Sequence, residues 1–143
     1  MSRAAASLFA ALLFALPSVA TDVEPAEVVG IRPAKLRSVR SSTRVPLLLD
    51  VRTPYEYEAG HIPGAVNIPY LQLDERLREV RAAAAHGVVV YCMRGPRARV
   101  GESILREQSI GPLYHLDGGY LAWKKAGYSV EKTERRSDID SEE

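Results

Sequence analysis

At 143 residues, with 46% hydrophobic and 26% charged residues, the chain has the make-up of one globular domain with a core of its own. Lys and Arg number 19 against 18 Asp and Glu, a net charge of +1, which excludes bulk attraction to nucleic acid or anionic lipid. A single cysteine excludes a disulfide framework.

The first twenty residues differ from the rest. Arg3 is their only charge, an apolar run covers residues 4–16, and Pro17-Ser18-Val19-Ala20 sets small residues before a cut. That pattern predicts a secretory signal over residues 1–20, cleaved near Ala20. The run is shorter than the ~20 apolar residues that span a bilayer, so no stable membrane anchor is expected. The domain would then work in the periplasm or outside the cell. Such a compartment is oxidising, and exported chains commonly use cysteines in pairs. A lone thiol there is buried and inert, paired with another molecule, or reactive by purpose.

Residues 21–26 read as a linker, 27–130 as the domain and 131–143 as a disordered polar tail. Residues 27–31 suit a short edge strand, and Pro33 opens a helical segment with Leu36 and Val39 on one face. The apolar run 45–51 predicts a buried strand ending in Asp50-Val51-Arg52. Thr53-Pro54 has the chemistry of a helix start, and Gly60-His61-Ile62-Pro63-Gly64 that of a turn. A short strand over 65–68 follows. Leu71, Leu73, Leu77 and Val80 then recur at helical spacing until Gly87. Val88 to Cys92 predicts a second buried strand, 97–108 a helix, 113–116 a last strand and 119–126 a last helix. Alternating strands and helices imply an α/β fold, a mostly parallel central sheet with helices on both faces. Ligands of such sheets bind beyond the carboxyl ends of the strands, where Cys92, Asp50-Val51-Arg52 and Asp117-Gly118-Gly119 should meet.

Cys92-Met93-Arg94-Gly95-Pro96-Arg97-Ala98 is the most informative stretch. A thiol at a strand end, facing a helix N-terminus and guanidinium groups, sits where a thiolate is favoured. Peptide N–H groups of such a turn can converge on an anion. Five residues between Met93 and Ala98 can donate one, because Pro96 has none. The alternative for Cys92 is a buried core thiol.

Three motifs together resemble the rhodanese, or sulfurtransferase, family. Asp50-Val51-Arg52-Thr53-Pro54-x-Glu56-Tyr57-x-x-Gly60-His61-Ile62-Pro63-Gly64-Ala65 looks like its first signature, and Cys92-x-x-Gly95-x-Arg97 is similar to its catalytic loop. Leu116-Asp117-Gly118-Gly119-x-x-Ala122-Trp123 looks like its C-terminal signature. The resemblance implies an exported single-domain rhodanese-like fold whose catalytic Cys92 carries sulfane sulfur as a persulfide. It implies a small anionic donor such as thiosulfate, and a thiol or cyanide acceptor that a protein could supply. No cofactor and no metal are implied. Met93, Arg94, Gly95, Arg97 and Ala98 are the expected substrate-binding residues, with Arg97 the oriented cradle residue and Arg94 the selector of the donor. Asp50, Arg52 and His61 are expected to support them from behind. Met93 stands where many rhodaneses carry Arg, and Ala98 where Ser is common.

Four residues separate Cys92 from Arg97, whereas cysteine phosphatases resemble Cys-x5-Arg. The shorter loop favours a small sulfur anion over a phosphate ester, and no general acid for a leaving alcohol stands out. A rhodanese-fold module that binds a partner or senses oxidants with little turnover is the other reading. His86 and His115 have no metal-ligand spacing with any Cys, Asp or Glu cluster.

Overall fold

A computed structural model of the chain describes residues 27–133. The leader expected over 1–20, the linker over 21–26 and residues 134–143 of the expected tail lie outside the described residues.

Five strands form one sheet: β1 (Val28–Ile31), β2 (Leu47–Asp50), β3 (Val66–Asn67), β4 (Val88–Tyr91) and β5 (Leu113–Leu116). Their order across the sheet is β1-β5-β4-β2-β3, and every pairing among them is parallel. The helices are α1 (Pro33–Val39), α2 (Pro54–Ala59), α3 (Leu77–Ala83), α4 (Pro96–Glu107) and α5 (Gly119–Lys125). The α/β architecture expected from the sequence is therefore present.

β4 lies at the centre, and its four side chains are fully buried. Successive side chains of a strand point to opposite faces, so a strand covered on both sides is apolar throughout. Val88 and Val90 face one layer with Cys92, Leu49, Val51, Val80 of α3 and Ala98 and Leu105 of α4. Val89 and Tyr91 face the other, with Leu48, Leu36 of α1 and Tyr120 and Trp123 of α5. Each fully buried Val or Leu contributes about 1.5–3 kcal/mol, so the centre of the sheet carries much of the hydrophobic stabilisation. The ends of β2, β4 and β5 consequently hold their loops on one firm rim.

Two segments depart from the sequence reading. The helix expected from Leu71 instead breaks into two 3-10 turns, Tyr70–Gln72 and Asp74–Arg76, before α3. The Tyr70 N–H is taken by Val51 O at 3.1 Å, which ties this stretch to the end of β2. The fully buried Leu73 then sits between the turns. The domain also runs past residue 130. His61 and Glu131 exchange both peptide hydrogen bonds, at 2.8 and 2.9 Å, and Thr133 N–H donates to Glu58 O at 3.1 Å. Residues 131–133 are exposed, yet their backbone is hydrogen-bonded to α2 and the turn that follows it, so ordered structure continues past residue 130.

Candidate active site

Cys92 follows the last residue of β4, and its loop closes on α4 at Pro96. The Gly95 N–H donates to Cys92 Sγ at 3.1 Å. Gly95 adopts φ +151°, which residues with a side chain rarely take, and this lets the chain turn from that peptide into α4. The positive end of α4, three turns long, lies next to it.

The remaining peptides of the loop are oriented from behind by α5. Tyr120 N–H donates to Cys92 O at 2.9 Å, and Leu121 N–H donates to Met93 O at 3.1 Å. In a trans peptide the N–H opposes the C=O, so the N–H groups of Met93 and Arg94 point away from α5. Gly119 makes this approach possible. A methyl group there would lie 2.7 Å from both carbonyl oxygens, and its φ is +62°. The Asp117-Gly118-Gly119 turn reaches the Cys92 loop because β5 is the direct neighbour of β4.

Among the described residues Gly95 supplies the one peptide hydrogen bond to the sulfur, where the sequence suggested several converging donors. Cys92 itself is 1% exposed and packs with the α4-side core. Met93 is half-buried against the α5-side core, Arg94 is exposed, and Ala98 is fully buried in the core.

Arg97 is oriented by a partner that the sequence reading did not assign. Its Nη1 and Nη2 donate to Glu56 Oε2 and Oε1 at 2.7 and 2.8 Å, linking α4 to α2. The Arg97 hydrogen bonds, with those of Thr53 adding and burial opposing, hold the Glu56 carboxyl down to about 2. The same bonds to Glu56 raise the Arg97 guanidinium, with the fields of Cys92 and Asp50 adding. Glu56 also closes a capping box with Thr53 at the start of α2. That box was the available signal: Thr53-x-x-Glu56 ahead of a helix fixes the carboxylate's position.

Asp50 and Arg52 are buried and committed to each other. Arg52 Nη2 lies 2.6 Å from Asp50 Oδ2, Nε lies 3.0 Å from Oδ1, and Nη2 also donates to Gly60 O at 2.8 Å. The guanidinium stacks over Tyr120 at 4.2 Å. Burial opposes the charge on Arg52, but the hydrogen bonds and the negative field of Asp50, with smaller help from Tyr91 and Glu56, together raise the guanidinium above its ordinary value. Burial also pushes the neighbouring Tyr91 phenol up. The pair braces the end of β2 against α5. His61 Nδ1–H donates to Tyr57 O at 2.8 Å, its Nε2 lies 3.6 Å from Glu131 Oε2, and its ring stacks on Tyr57 at 3.7 Å. Its two nitrogens are thus engaged with the α2 turn and residue 131, not with the Cys92 loop. Among the described residues no group of His, Cys, Asp and Glu is arranged to hold a metal ion.

The structure thus sets a buried thiol at the carboxyl edge of a parallel α/β sheet, with a peptide N–H on its sulfur and a helix start beside it. The sequence matches the rhodanese-like domain family over residues 33–126, and the chain belongs to that family. It is 38% identical over 138 residues to the HTH-type transcriptional regulator Rv0324 of Mycobacterium tuberculosis, a match covering 85% of this chain and 58% of that protein. It is 33% identical over 90 residues to a protein named sulfurtransferase from Allochromatium vinosum, covering 63% of this chain and 82% of that one. Among solved structures, a rhodanese-related protein from Thermoplasma volcanium superposes with a TM-score of 0.64 at 26% identity, over 74% of this chain and 99% of that one. The chain spans 57–65% of the length of three of the curated relatives it matches.

Proposed function

We propose that this protein is a sulfurtransferase that moves sulfane sulfur from thiosulfate or a related anionic donor to a thiophilic acceptor through a persulfide on Cys92. The observation that carries the reading is the Gly95 N–H held 3.1 Å from Cys92 Sγ. A peptide dipole fixed on the sulfur favours the thiolate, and does so without reorganising during reaction. The similarity to a protein named sulfurtransferase supports the same chemistry.

In the first half-reaction the Cys92 thiolate attacks the outer sulfur of thiosulfate. A new S–S bond forms, the bond to sulfite breaks, and sulfite leaves with the electron pair. In the second, cyanide or a thiolate attacks the outer sulfur, and Cys92 leaves as a thiolate again. Every species is anionic at one place, which suits the end of α4 and the loop amides. The exposed Arg94 would meet the donor, and Met93, Gly95, Arg97 and Ala98 would shape the space it enters. A signal over residues 1–20 would place this chemistry in the periplasm or outside the cell.

Intact mass measurement tests the reading. Wild type treated with thiosulfate should gain about 32 Da, one sulfur atom on the nucleophilic thiolate, and Cys92→Ser should gain nothing. No gain with thiosulfate or with organic persulfide donors would overturn it. The 1% exposure of Cys92 favours a second reading, a binding or redox-sensing module with little turnover. That reading requires a Cys92 thiol that titrates near the ordinary cysteine range, which ultraviolet absorbance against pH distinguishes.

A further inference from the structure

Behind the Cys92 loop lies a buried pair that the proposed sulfur chemistry does not use. His115 of β5 and Glu102 of α4 are 8% and 4% exposed, and His115 Nδ1 lies 2.5 Å from Glu102 Oε1. The other edge of the same imidazole faces the loop. A methyl group built on Gly95 would sit 3.4 Å from His115 Nε2 and 3.6 Å from Cε1. Among the described residues Nε2 makes no hydrogen bond, so Nδ1 alone holds the ring in place.

We infer that the Glu102–His115 pair is a positioning device for the sulfur site: it props the Gly95 peptide beneath Cys92 and so sets the fraction of Cys92 that is thiolate. The inference rests on the reading of Cys92 as the working nucleophile. The helix geometry explains how one pair can do this. Glu102 is seven residues after Gly95, two turns along the same face of α4. Helical side chains lean toward the N-terminus, so the Glu102 carboxylate reaches back under the first turn. The imidazole lies between that carboxylate and Gly95, with room for a methyl group on the glycine side. Gly95 is tied to Sγ through its N–H, and the ring stands at contact distance from where a methyl group on the glycine would lie. The Gly95 carbonyl also accepts from Arg99 N–H at 3.1 Å, so the ring adds to the restraints on a residue with wide backbone freedom.

The test compares Glu102→Gln with Glu102→Leu. Both remove the same negative charge, but only Gln keeps an oxygen that accepts from His115 Nδ1–H. The other charges near the loop stay as they are: Arg94, Arg97 with Glu56 of α2, and Asp50 with Arg52 after β2. Three quantities are read, namely Cys92 titration by ultraviolet absorbance, the iodoacetamide alkylation rate, and exchange of the Gly95 amide by NMR. Glu102→Gln should keep Gly95 exchange at the wild-type rate and leave the Cys92 midpoint at or slightly below wild type, since only the charge is lost. Glu102→Leu should raise the Cys92 midpoint by about one pH unit and slow alkylation about ten-fold near neutral pH. It should also speed Gly95 amide exchange by about ten-fold or more. Loss of a carboxylate by itself would ease thiolate formation, so a rise is opposite in sign to a charge effect. If Glu102→Leu fails to fold, His115→Asn replaces it, keeping a donor near Glu102 while emptying the space under Gly95, with the same rise expected. Folded variants whose titration and Gly95 exchange equal wild type would overturn the inference. None of these readouts needs a sulfur donor. A wild type that takes up sulfur beside unchanged variants therefore sinks the positioning role alone. A wild type that never takes up sulfur sinks only the transferase reading.

Discussion

Arg97 meets Glu56 through two parallel hydrogen bonds, 2.7 and 2.8 Å long, that tie the first turn of α4 to the first turn of α2. A bidentate pair of this kind fixes the plane of the guanidinium as well as its position. Its two terminal nitrogens are both engaged by the carboxylate, so in the proposed transferase Arg97 would act through its charge and through where it holds α4. Glu56→Ala should therefore free Arg97 and remove the α2 capping box together. The expected loss is about 1–3 kcal/mol of stability by urea unfolding, with one part from the cap and one from the pair. Arg97→Ala, which keeps the Thr53–Glu56 box, should lose less.

The same pair gives a pH dependence of known sign. In the folded chain the Glu56 carboxyl is held down to about 2, against an ordinary value of 4.5, first by the Arg97 hydrogen bonds. A depressed carboxyl contributes stability above its unfolded value and loses it as pH falls toward the folded one. The contribution is thus whole above pH 4.5 and fades between there and about 2. The pair is partly exposed and solvent-screened, so it amounts to about 1–2 kcal/mol. Glu56→Gln should flatten this part of the acid-unfolding curve, read as denaturant midpoint against pH. A curve with the wild-type slope over that window would refute the assignment.

Gly119→Ala tests the support that α5 gives the loop. The added methyl would stand 2.7 Å from the Cys92 and Met93 carbonyl oxygens at a φ of +62°. The left-handed backbone alone costs about 1–2 kcal/mol, and the clash must push α5 off the loop. The Tyr120 and Leu121 N–H bonds to those carbonyls should lengthen together. The expected outcome is a fold that survives with lower stability and sulfur uptake slowed about ten-fold or more, as for loss of one preorganised donor. Uptake at the wild-type rate would show that these carbonyls need no anchor.

Much of this could be read from the residues, and the exceptions share a cause. The unbroken apolar run of β4 and its cysteine are local in sequence, and so are the turn residues at 60–64 and the glycines at 118 and 119. Each of those fixes a strand, a turn or a close approach by its own chemistry. The Glu56–Arg97 and Glu102–His115 pairs join residues 41 and 13 positions apart, and only the strand order brings them together. His115 looked idle because no metal ligand stood at a useful spacing, while its partner was on the preceding helix, α4. The helix expected from Leu71 failed for a related reason. Its apolar spacing is helical, but a hydrogen bond to Val51 at the end of β2 sets the local backbone first. The run past residue 130 was missed because a two-residue β-bridge to His61 leaves no periodic trace.

Asp50 and Arg52 carry the largest expected stability effect. Both are essentially buried, and the guanidinium reaches Asp50, Gly60 O and the face of Tyr120. Removing one partner of a buried ion pair leaves the other charge uncompensated, which costs about 3–5 kcal/mol. Asp50→Ala should therefore unfold the domain at much lower denaturant, whereas Asp50→Asn, which keeps an acceptor for Arg52 Nε, should lose less. The difference between the two variants measures the hydrogen-bond share, because both remove the charge. Equal losses would mean that charge alone holds Arg52 in place.

Arg94 separates encounter from chemistry in the proposed transferase. It is exposed on the loop, and among the described residues no ion pair holds it. A free surface guanidinium beside an anion site raises the local donor concentration by attraction that salt screens. Arg94→Gln should raise the KM for thiosulfate about three- to ten-fold, leave kcat within about two-fold, and blunt the salt dependence of kcat/KM. Cys92 titration should move little, since Gly95 and the end of α4 stay in place. A fall in kcat with KM unchanged would instead place Arg94 in the transition state, stabilising the departing sulfite.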